Sequence, residues 1–512
     1  MGKDSGRRVV DVVAFLRRRA LPGELLGWAG ALLIALITTA HAASASDWLL
    51  FTDSDSLTPV MLTSSILGGQ AQDWAMSPVL FVPETAVYAA LSVLGLGVRA
   101  TLVLASIVNV LALYGALRYA AGAVRTRPSA IGLALLASAA IAVLTLLEDA
   151  SRPGYRLATL LATTTYYSAT VVAGVLTVGI AARFAAPRPP RRAVTAYVLL
   201  GSIALLSTFT NPIYAPWTIA PVVGVTLLWW WRSRRVSRPG ALALGVMIAG
   251  AAVGYLLRIP LSPWIVADQK NYVRPQRILA AIDHYGRLFL DGLTTPAGVA
   301  WTLILVGMWV VAVVLAVRGL RGSANARGYL ALYAALTPPF TLLWMIVLGT
   351  DADRYLQPLL YAPAVGLLAA PLPALSRVVA NRVVPASAVA LVAVTAFLTP
   401  SLVSSASAVD ADLRCVTQWV EKSGRVGAGQ FWTIRAPKAY VSDPRMLVQV
   451  DQSLRPYNWM VDRDDYAAAA PSFLVVDANS YPFDTGGLRP TSVVPCGRYS
   501  IQDFQPATLP LR

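Results

Sequence analysis

The stretch that decides the fold reads LLGWAGALLIALITTAHAASAS from Leu25 to Ser46, then changes to DWLLFTDSDS from Asp47 to Ser56. The first part is 22 residues without a charge, the length an α-helix needs to cross a hydrocarbon core of roughly 30 Å. The second part carries three aspartates, Asp47, Asp53 and Asp55. An apolar helix followed at once by carboxylates marks a membrane boundary, and the pattern of long apolar blocks between polar connectors continues for most of the chain.

The 512 residues are 56% hydrophobic and 13% charged, with a mean hydropathy of +0.59. A soluble domain carries roughly 25% charged residues, so this chain has too few charges to cover a surface facing water. A cytosolic enzyme, a secreted disulfide scaffold and a disordered chain are excluded. Eleven apolar segments are long enough to be spans, at 25–46, 100–121, 129–147, 159–182, 194–210, 214–231, 240–257, 294–317, 329–350, 357–376 and 383–402. The segment 79–97 is also apolar but holds Pro83 and Glu84, which are costly at mid-membrane. It reads as a helix lying on the membrane surface.

The net charge is +16. Basic residues stay on the cytoplasmic side in short connectors, and with eleven spans every second connector collects them. They are Lys3 to Arg19, Arg118 to Arg127, Arg183 to Arg192, Arg232 to Arg238, Arg318 to Arg327, and Arg377 with Arg382. This accounts for the charge without nucleic acid. It places the N-terminus (1–24) inside and the C-terminus outside, in a multi-pass protein of the cell (plasma) membrane. A spanning 79–97 would invert the later clusters.

Between Leu25 and Val409 there are twelve acids, from Asp47 to Asp353, and in this arrangement all face outward. No span carries one at its centre, which argues against an ion-coupled carrier. The densest group is the first outer loop, 47–99, with Asp53, Asp55, Asp73 and Glu84. A carboxylate there can take a proton from a hydroxyl and make it a nucleophile. Two carboxylates at this spacing can instead hold a divalent cation, or cap a short helix with Ser54 and Ser56.

An inside N-terminus, a first span, an acidic motif directly outside it and a Pro-Glu surface helix together resemble the GT-C superfamily. These are integral-membrane glycosyltransferases that use polyprenyl-phosphate sugars, among them protein O-mannosyl-, aminoarabinose and mycobacterial arabinofuranosyl- and mannosyltransferases. The resemblance covers residues 1–400 in layout. It implies a catalytic base at Asp53 or Asp55, with a slight preference for Asp53, which lies nearer the span. It also implies a second acidic and basic group at Glu148, Asp149 and Arg152, and a mobile outer loop at 258–293. The run Asp353-Arg354-Tyr355-Leu-Gln-Pro358 looks like the family's Arg-Tyr-x-x-Pro pattern, in which the Arg meets the lipid phosphate.

Guanidinium forks suit phosphate oxygens, so Arg354, Arg258 and Arg152 are the expected donor-phosphate ligands. Glu84, Asp149, Tyr355, Tyr272 and Lys270 are expected substrate contacts, and Tyr166, Tyr167, Tyr214, Trp217 and Trp264 sit near the outer interface, where aromatics also serve as anchors. His41 and His284 form no metal cluster in the sequence. No separate cofactor is expected; a divalent cation, if bound, would use Asp53 and Asp55.

From about residue 403 the composition changes. An apolar-periodic helix is expected over Ala411 to Lys422, with strand-like pieces at Phe431 to Arg435 and Ser472 to Asp477. The span 403–512 is large enough for one small α/β domain. It holds both cysteines, Cys415 and Cys496, and outside the membrane a disulfide between them can persist. Trp459, Tyr457 and Asp462 are candidate acceptor contacts.

The sequence therefore predicts a polytopic α-helical membrane protein of GT-C-like layout, with a transmembrane domain over 25–402 and an extracytoplasmic α/β domain. The expected activity is transfer of a sugar from a polyprenyl-phosphate donor to a cell-envelope glycan, lipid or protein acceptor, with inversion, as in cell wall biogenesis. The alternative is a lipid or glycan flippase. That reading requires a polar path through several spans and has no specific need for Asp53 or Asp55.

Overall fold

The computed structural model describes residues 4–124, 127–148, 155–186, 190, 192–234, 236–266, 273–322, 325–371, 384–467 and 469–512. Seventeen helices carry the argument. In the first half they are α1 (Asp4–Ala45), α2 (Asp47–Phe51), α3 (Thr58–Leu67), α4 (Val82–Ser92), α5 (Val98–Ala121), α6 (Arg127–Leu147), α7 (Ser168–Phe184), α8 (Ala193–Thr210) and α9 (Ala220–Ser233). Then come α10 (Arg238–Leu256), α11 (Ile278–Gly292), α12 (Pro296–Arg321), α13 (Ala326–Leu348), α14 (Pro358–Leu367), α15 (Val384–Ser407), α16 (Ala411–Ser423) and α17 (Phe431–Tyr440).

Among the described residues, eight helices are long and apolar enough to cross a membrane. They are α1 from Pro22, α5, α6, α8, α10, α12, α13 and α15. The chain is a multi-pass membrane protein. The other three expected spans fall on shorter helices: α7 has 17 residues, α9 has 14 after a π-helical turn at Ala215–Ile219, and α14 has 10. Segment 79–97 gives α4, whose 11 residues rise only about 16 Å, too little to cross.

Polar residues at helix starts set the boundaries. Ser237, Thr295 and Asn325 each accept a hydrogen bond from the backbone N–H three residues on, capping α10, α12 and α13. Such caps satisfy donors that a helix start leaves open. Within the bundle α8 and α10 pack closely because the contact residue is small: a Cβ on Gly254 would collide with the carbonyl of Leu205. Without a hydrophobic drive between helices in lipid, such close backbone approach supplies the packing energy.

The expected span 159–182 is corrected. Thr159–Ala162 is one 3-10 turn, the chain then unwinds, and α7 begins only at Ser168. The sequence there is Thr163-Thr-Thr-Tyr-Tyr167, rich in residues whose side chains compete for backbone groups. Side chains elsewhere satisfy the unwound carbonyls. Asn109 donates to Thr163 O (2.9 Å) and Gln357 to Tyr166 O (2.6 Å).

Helix α15 runs to Ser407, and the expected C-terminal domain follows it. Its five-stranded sheet has the order β3 (Leu447–Gln449), β2 (Gly427–Gly429), β5 (Phe473–Val476), β7 (Tyr499–Asp503), β6 (Ser492–Cys496). Strand β2 is parallel to β3 and β5, and β5, β7 and β6 run antiparallel in turn. The helix expected over Ala411 to Lys422 is α16. Phe431 to Arg435, expected as strand, is the start of α17. Cys415 and Cys496 form a disulfide that joins α16 to β6 across 81 residues.

This domain is fused to the first loop. Strand β1 (Trp74–Ala75) pairs antiparallel with β4 (Val461–Asp462). Leu50, Phe51, Leu57 and Trp74 share one buried apolar cluster with Phe431, Ile434, Met460 and Phe473. Arg463 clamps the seam by an ion pair to Asp73 (2.9 Å) and a hydrogen bond to Pro263 O (2.7 Å).

Candidate active site

Helix α1 ends at Ala45, α2 forms one turn, and the chain turns through Thr52 to Leu57 into α3. That turn carries Asp53 and Asp55. Asp53 is buried, and its Oδ2 accepts from Ser56 N (2.9 Å) and Tyr166 Oη (3.1 Å). Burial pushes its carboxyl up to about 6, the neighbouring Asp55 pushes the same way, and the bonds from Ser56 and Tyr166 oppose them. Asp55 is half-buried. Burial raises its carboxyl as well, and the guanidinium groups of Arg354 and Arg435 pull it back down. No hydrogen bond to the Asp55 carboxylate forms among the described residues.

Asp55 lines a cleft of about 1180 Å³. The unwound stretch contributes Tyr166 and Tyr167, and the turn before α14 contributes Arg354 and Tyr355. Tyr167 takes a left-handed backbone (φ 69°), which costs a residue other than glycine roughly 1–3 kcal/mol. In that conformation it stacks on Tyr355 with ring centroids 6.0 Å apart. The Arg354 guanidinium lies 5.5 Å from the Tyr355 ring centroid. Its neighbouring acids are engaged elsewhere: Asp351 pairs with Arg277 (3.1 Å) and Asp353 with His284 (2.7 Å). Arg354 thus lies in the cleft, where Tyr167, then Tyr355, Asp55 and Tyr166 are its electrostatic neighbours.

The wall opposite the bundle belongs to the C-terminal domain. It presents Gln430, Trp432, Asp451, Gln452, Tyr457, Trp459 and Tyr481. Trp432, Tyr457 and Tyr481 are 59%, 43% and 72% exposed. The two tyrosines are nevertheless held: Gln430 Nε2 donates to Tyr481 O (2.7 Å), and the buried Gln449 donates to Tyr457 O (2.7 Å) and Trp459 O (2.9 Å). The bundle side of the cleft ends in Val273, Trp344, Met345 and Leu348.

Of the two acids read as base candidates, Asp55 lines the cleft and Asp53 stands behind it, against the slight preference for Asp53. Tyr355 and Arg354 share the cleft with Asp55. Arg258 is not a phosphate ligand in this arrangement. It is buried and donates to Phe209 O (2.5 Å) and Pro78 O (2.6 Å), so it ties two backbone segments together. Glu84 does not line the cleft; it is buried on α4 with Oε2 unpartnered, and burial pushes it up to about 7. Glu148 is enclosed by donors from Ala158, Thr159 and Trp301. His41 meets the carbonyl of Glu148 (3.3 Å). Tyr457 and Trp459 line the cleft, whereas Asp462 is buried at the β1–β4 seam. Asp149, Arg152, Lys270 and Tyr272 lie outside the described residues.

Sequence reasoning missed Arg435, on α17. It is fully buried and donates from Nε to Ser54 O (2.8 Å), from Nη2 to Thr58 Oγ1 (2.7 Å) and from Nη1 to Met460 O. It also missed the wall residues Gln430, Trp432, Asp451, Gln452 and Tyr481. Trp432 and Arg435 lie in a run noticed only for its strand-like pattern.

The residues do not fit a divalent cation well. Asp53 Oδ2 already takes two donors, and Arg435 and Arg354 already supply positive charge beside Asp55. Among the described residues no three His, Cys, Asp or Glu side chains gather as ligands.

Fold and cleft define a class: a multi-pass helical membrane protein whose charged cleft is closed on one side by an α/β domain. Among solved structures the chain is similar to the crystal structure of the Archaeoglobus fulgidus oligosaccharyltransferase in the apo form, at 11% identity and a TM-score of 0.39, over 88% of this chain and 69% of that one. No protein-family profile matches the chain, and no curated protein does.

Proposed function

We propose that this chain is an inverting membrane glycosyltransferase. It takes a sugar from a polyprenyl-phosphate donor and delivers it to a hydroxyl of a cell-envelope acceptor. In this reading the cleft and the C-terminal domain lie at the outer face of the cell membrane; the basic connectors, which tend to stay cytoplasmic, support it. The observation that carries the reading is the pairing of Asp55 and Arg354 in one cleft. The first loop's acidic motif and the Arg354-Tyr355 pattern, by which the sequence resembles the GT-C superfamily, point the same way.

In this reading the acceptor hydroxyl hydrogen-bonds to Asp55. As its oxygen attacks the anomeric carbon, the proton passes to the Asp55 carboxylate. The bond from the anomeric carbon to the phosphate oxygen breaks on the opposite face, and the electron pair leaves with the lipid phosphate. Arg354 holds that phosphate and stabilises the charge that grows on it. Asp53 and Tyr166 hold the loop from behind. The prenyl chain lies toward Trp344 and Leu348, near which Leu343 and Val347 face outward from the protein. The acceptor lies against Trp432, Tyr457 and Tyr481, whose rings offer apolar faces with a polar edge. Proximity and fixed electrostatics supply most of the rate.

The test is transfer from radiolabelled polyprenyl-phosphate sugars in membranes at matched expression of wild type, Asp53→Asn, Asp55→Asn and Arg354→Ala. The expected result is loss of transfer in Asp55→Asn and Arg354→Ala, with Asp53→Asn retaining part. Wild-type transfer in Asp55→Asn would remove Asp55 as the base, whereas a wild type that transfers no sugar would shift weight to a flippase, for which Asp55 is dispensable.

A further inference from the structure

We propose that Arg435 is a positioning residue for this reaction: from the C-terminal domain it fixes the backbone between the two first-loop carboxylates and places a permanent positive charge beside Asp55. The inference rests on the glycosyltransferase reading for its catalytic meaning, and on geometry for its physical content.

Three observations lead to it. First, a fully buried guanidinium is expensive unless it is paired or fully hydrogen-bonded. Among the described residues Arg435 has only neutral hydrogen-bond acceptors, namely Ser54 O, Thr58 Oγ1 and Met460 O. The acids that offset its charge are Asp55 and then Asp53, which act on it through space without touching it. Burial pushes the guanidinium down and those two acids oppose it, leaving it lowered to about 10 and still charged at neutral pH.

Second, the bonds fall where a base loop needs them. Ser54 is the residue between Asp53 and Asp55, and its Oγ donates to Phe431 O (3.1 Å), at the start of the helix that carries Arg435. Thr58 opens α3 on the far side of the turn. Arg435 therefore spans the turn from its middle to its end, and the loop returns a bond to α17. Tyr440 on the same helix donates to Phe51 O (2.9 Å) on the near side. The whole carboxylate turn is gripped by one helix of the C-terminal domain.

Third, a wholly structural role would be served by an apolar side chain and a closed turn. Replacing a buried charge by apolar packing is often neutral or stabilising. A charge retained next to a base that must be ionised to act has a use: it favours the carboxylate over the carboxylic acid.

The experiment uses the full chain in detergent or nanodiscs. Difference infrared titration follows the Asp55 carboxyl band, assigned by its loss in Asp55→Asn. Arg435→Gln and Arg435→Lys are compared with wild type, with the disulfide and resistance to protease confirming the fold. Arg435→Gln removes the charge, and the Asp55 midpoint is expected to rise by about one pH unit or more, the size of effect an opposite charge close by exerts. Arg435→Lys keeps the charge but not the fork, so the midpoint stays near wild type while kcat for transfer falls at unchanged KM. An unmoved Asp55 midpoint in Arg435→Gln overturns the proposal. Should that variant not accumulate, wild-type kcat in Arg435→Lys overturns it instead. A midpoint that moves in a protein whose wild type transfers no sugar leaves the coupling standing and removes the glycosyltransferase reading.

Discussion

Glu148 and Asp55 are both acids withdrawn from water beside a helix end, one after α6 and one between α2 and α3. Glu148 receives hydrogen bonds from Ala158 N (2.8 Å), Thr159 N (2.7 Å), Thr159 Oγ1 (2.7 Å) and Trp301 Nε1 (3.2 Å). Asp55 receives none from the described residues and borders a large cleft. The first acid is consumed in holding an unwound stretch of chain. The second has its oxygens open, with charge balance supplied from a distance. A buried acid whose donors are complete is part of the frame, while one with donors missing has a place for a substrate.

The largest effect that tests this contrast is Asp55→Asn, expected to lower transfer by about 10²–10⁴-fold with normal accumulation. Glu148→Gln is expected to do the reverse. Transfer per folded molecule stays near wild type, while stability falls by about 1–3 kcal/mol as the new amide turns an N–H toward donors. Thermal unfolding of the purified proteins reads the second part, and a swap of the two phenotypes would break the contrast.

Next is Arg354→Ala, expected to cost about 10²–10³-fold in kcat, measured at saturating donor. Arg354→Lys recovers part of this, because an ammonium keeps the charge and loses the bidentate geometry.

A third effect is pH dependence. Asp53 is pushed up to about 6 and Asp55 also upward, and two such neighbours titrate as a pair. The base acts ionised, so kcat/KM falls as pH is lowered through the raised midpoint, well above the ordinary carboxylate value of about 4. A profile flat down to that value would contradict the burial of the pair.

The smallest effect is Trp432→Ala. Loss of one stacked ring is expected to raise acceptor KM about fivefold with kcat unchanged, from the roughly 1 kcal/mol such contacts contribute.

Much of the membrane architecture was readable because apolar length is a strong one-dimensional signal. Asp55 and Arg354 were each singled out beside a span end, and the fold brings both to one cleft. The unwound chain at Thr163 to Tyr167 was hidden inside an apolar block. Hydropathy averages over five polar or aromatic residues, and irregular backbone among spans persists only where it lines a cavity or is buried in protein. Arg435 was hidden for a different reason. Phe431-Trp-Thr-Ile-Arg435 has the aromatic and β-branched content of a strand, and only packing against the first loop and the sheet makes it a helix. Arg258 matched a phosphate ligand by type and position, but sequence cannot show that two carbonyls already occupy its fork.

The seam between Trp74–Ala75 and Val461–Asp462 has a consequence in time. Asp73 and Arg463 are 390 residues apart, and at 5–20 residues per second the ribosome needs about 20–80 s to go from one to the other. For most of that interval the acidic turn exists without Arg435 and without the facing wall. On the proposed reading, a chain that stops before residue 430 is expected to transfer no sugar, however well its early spans have inserted.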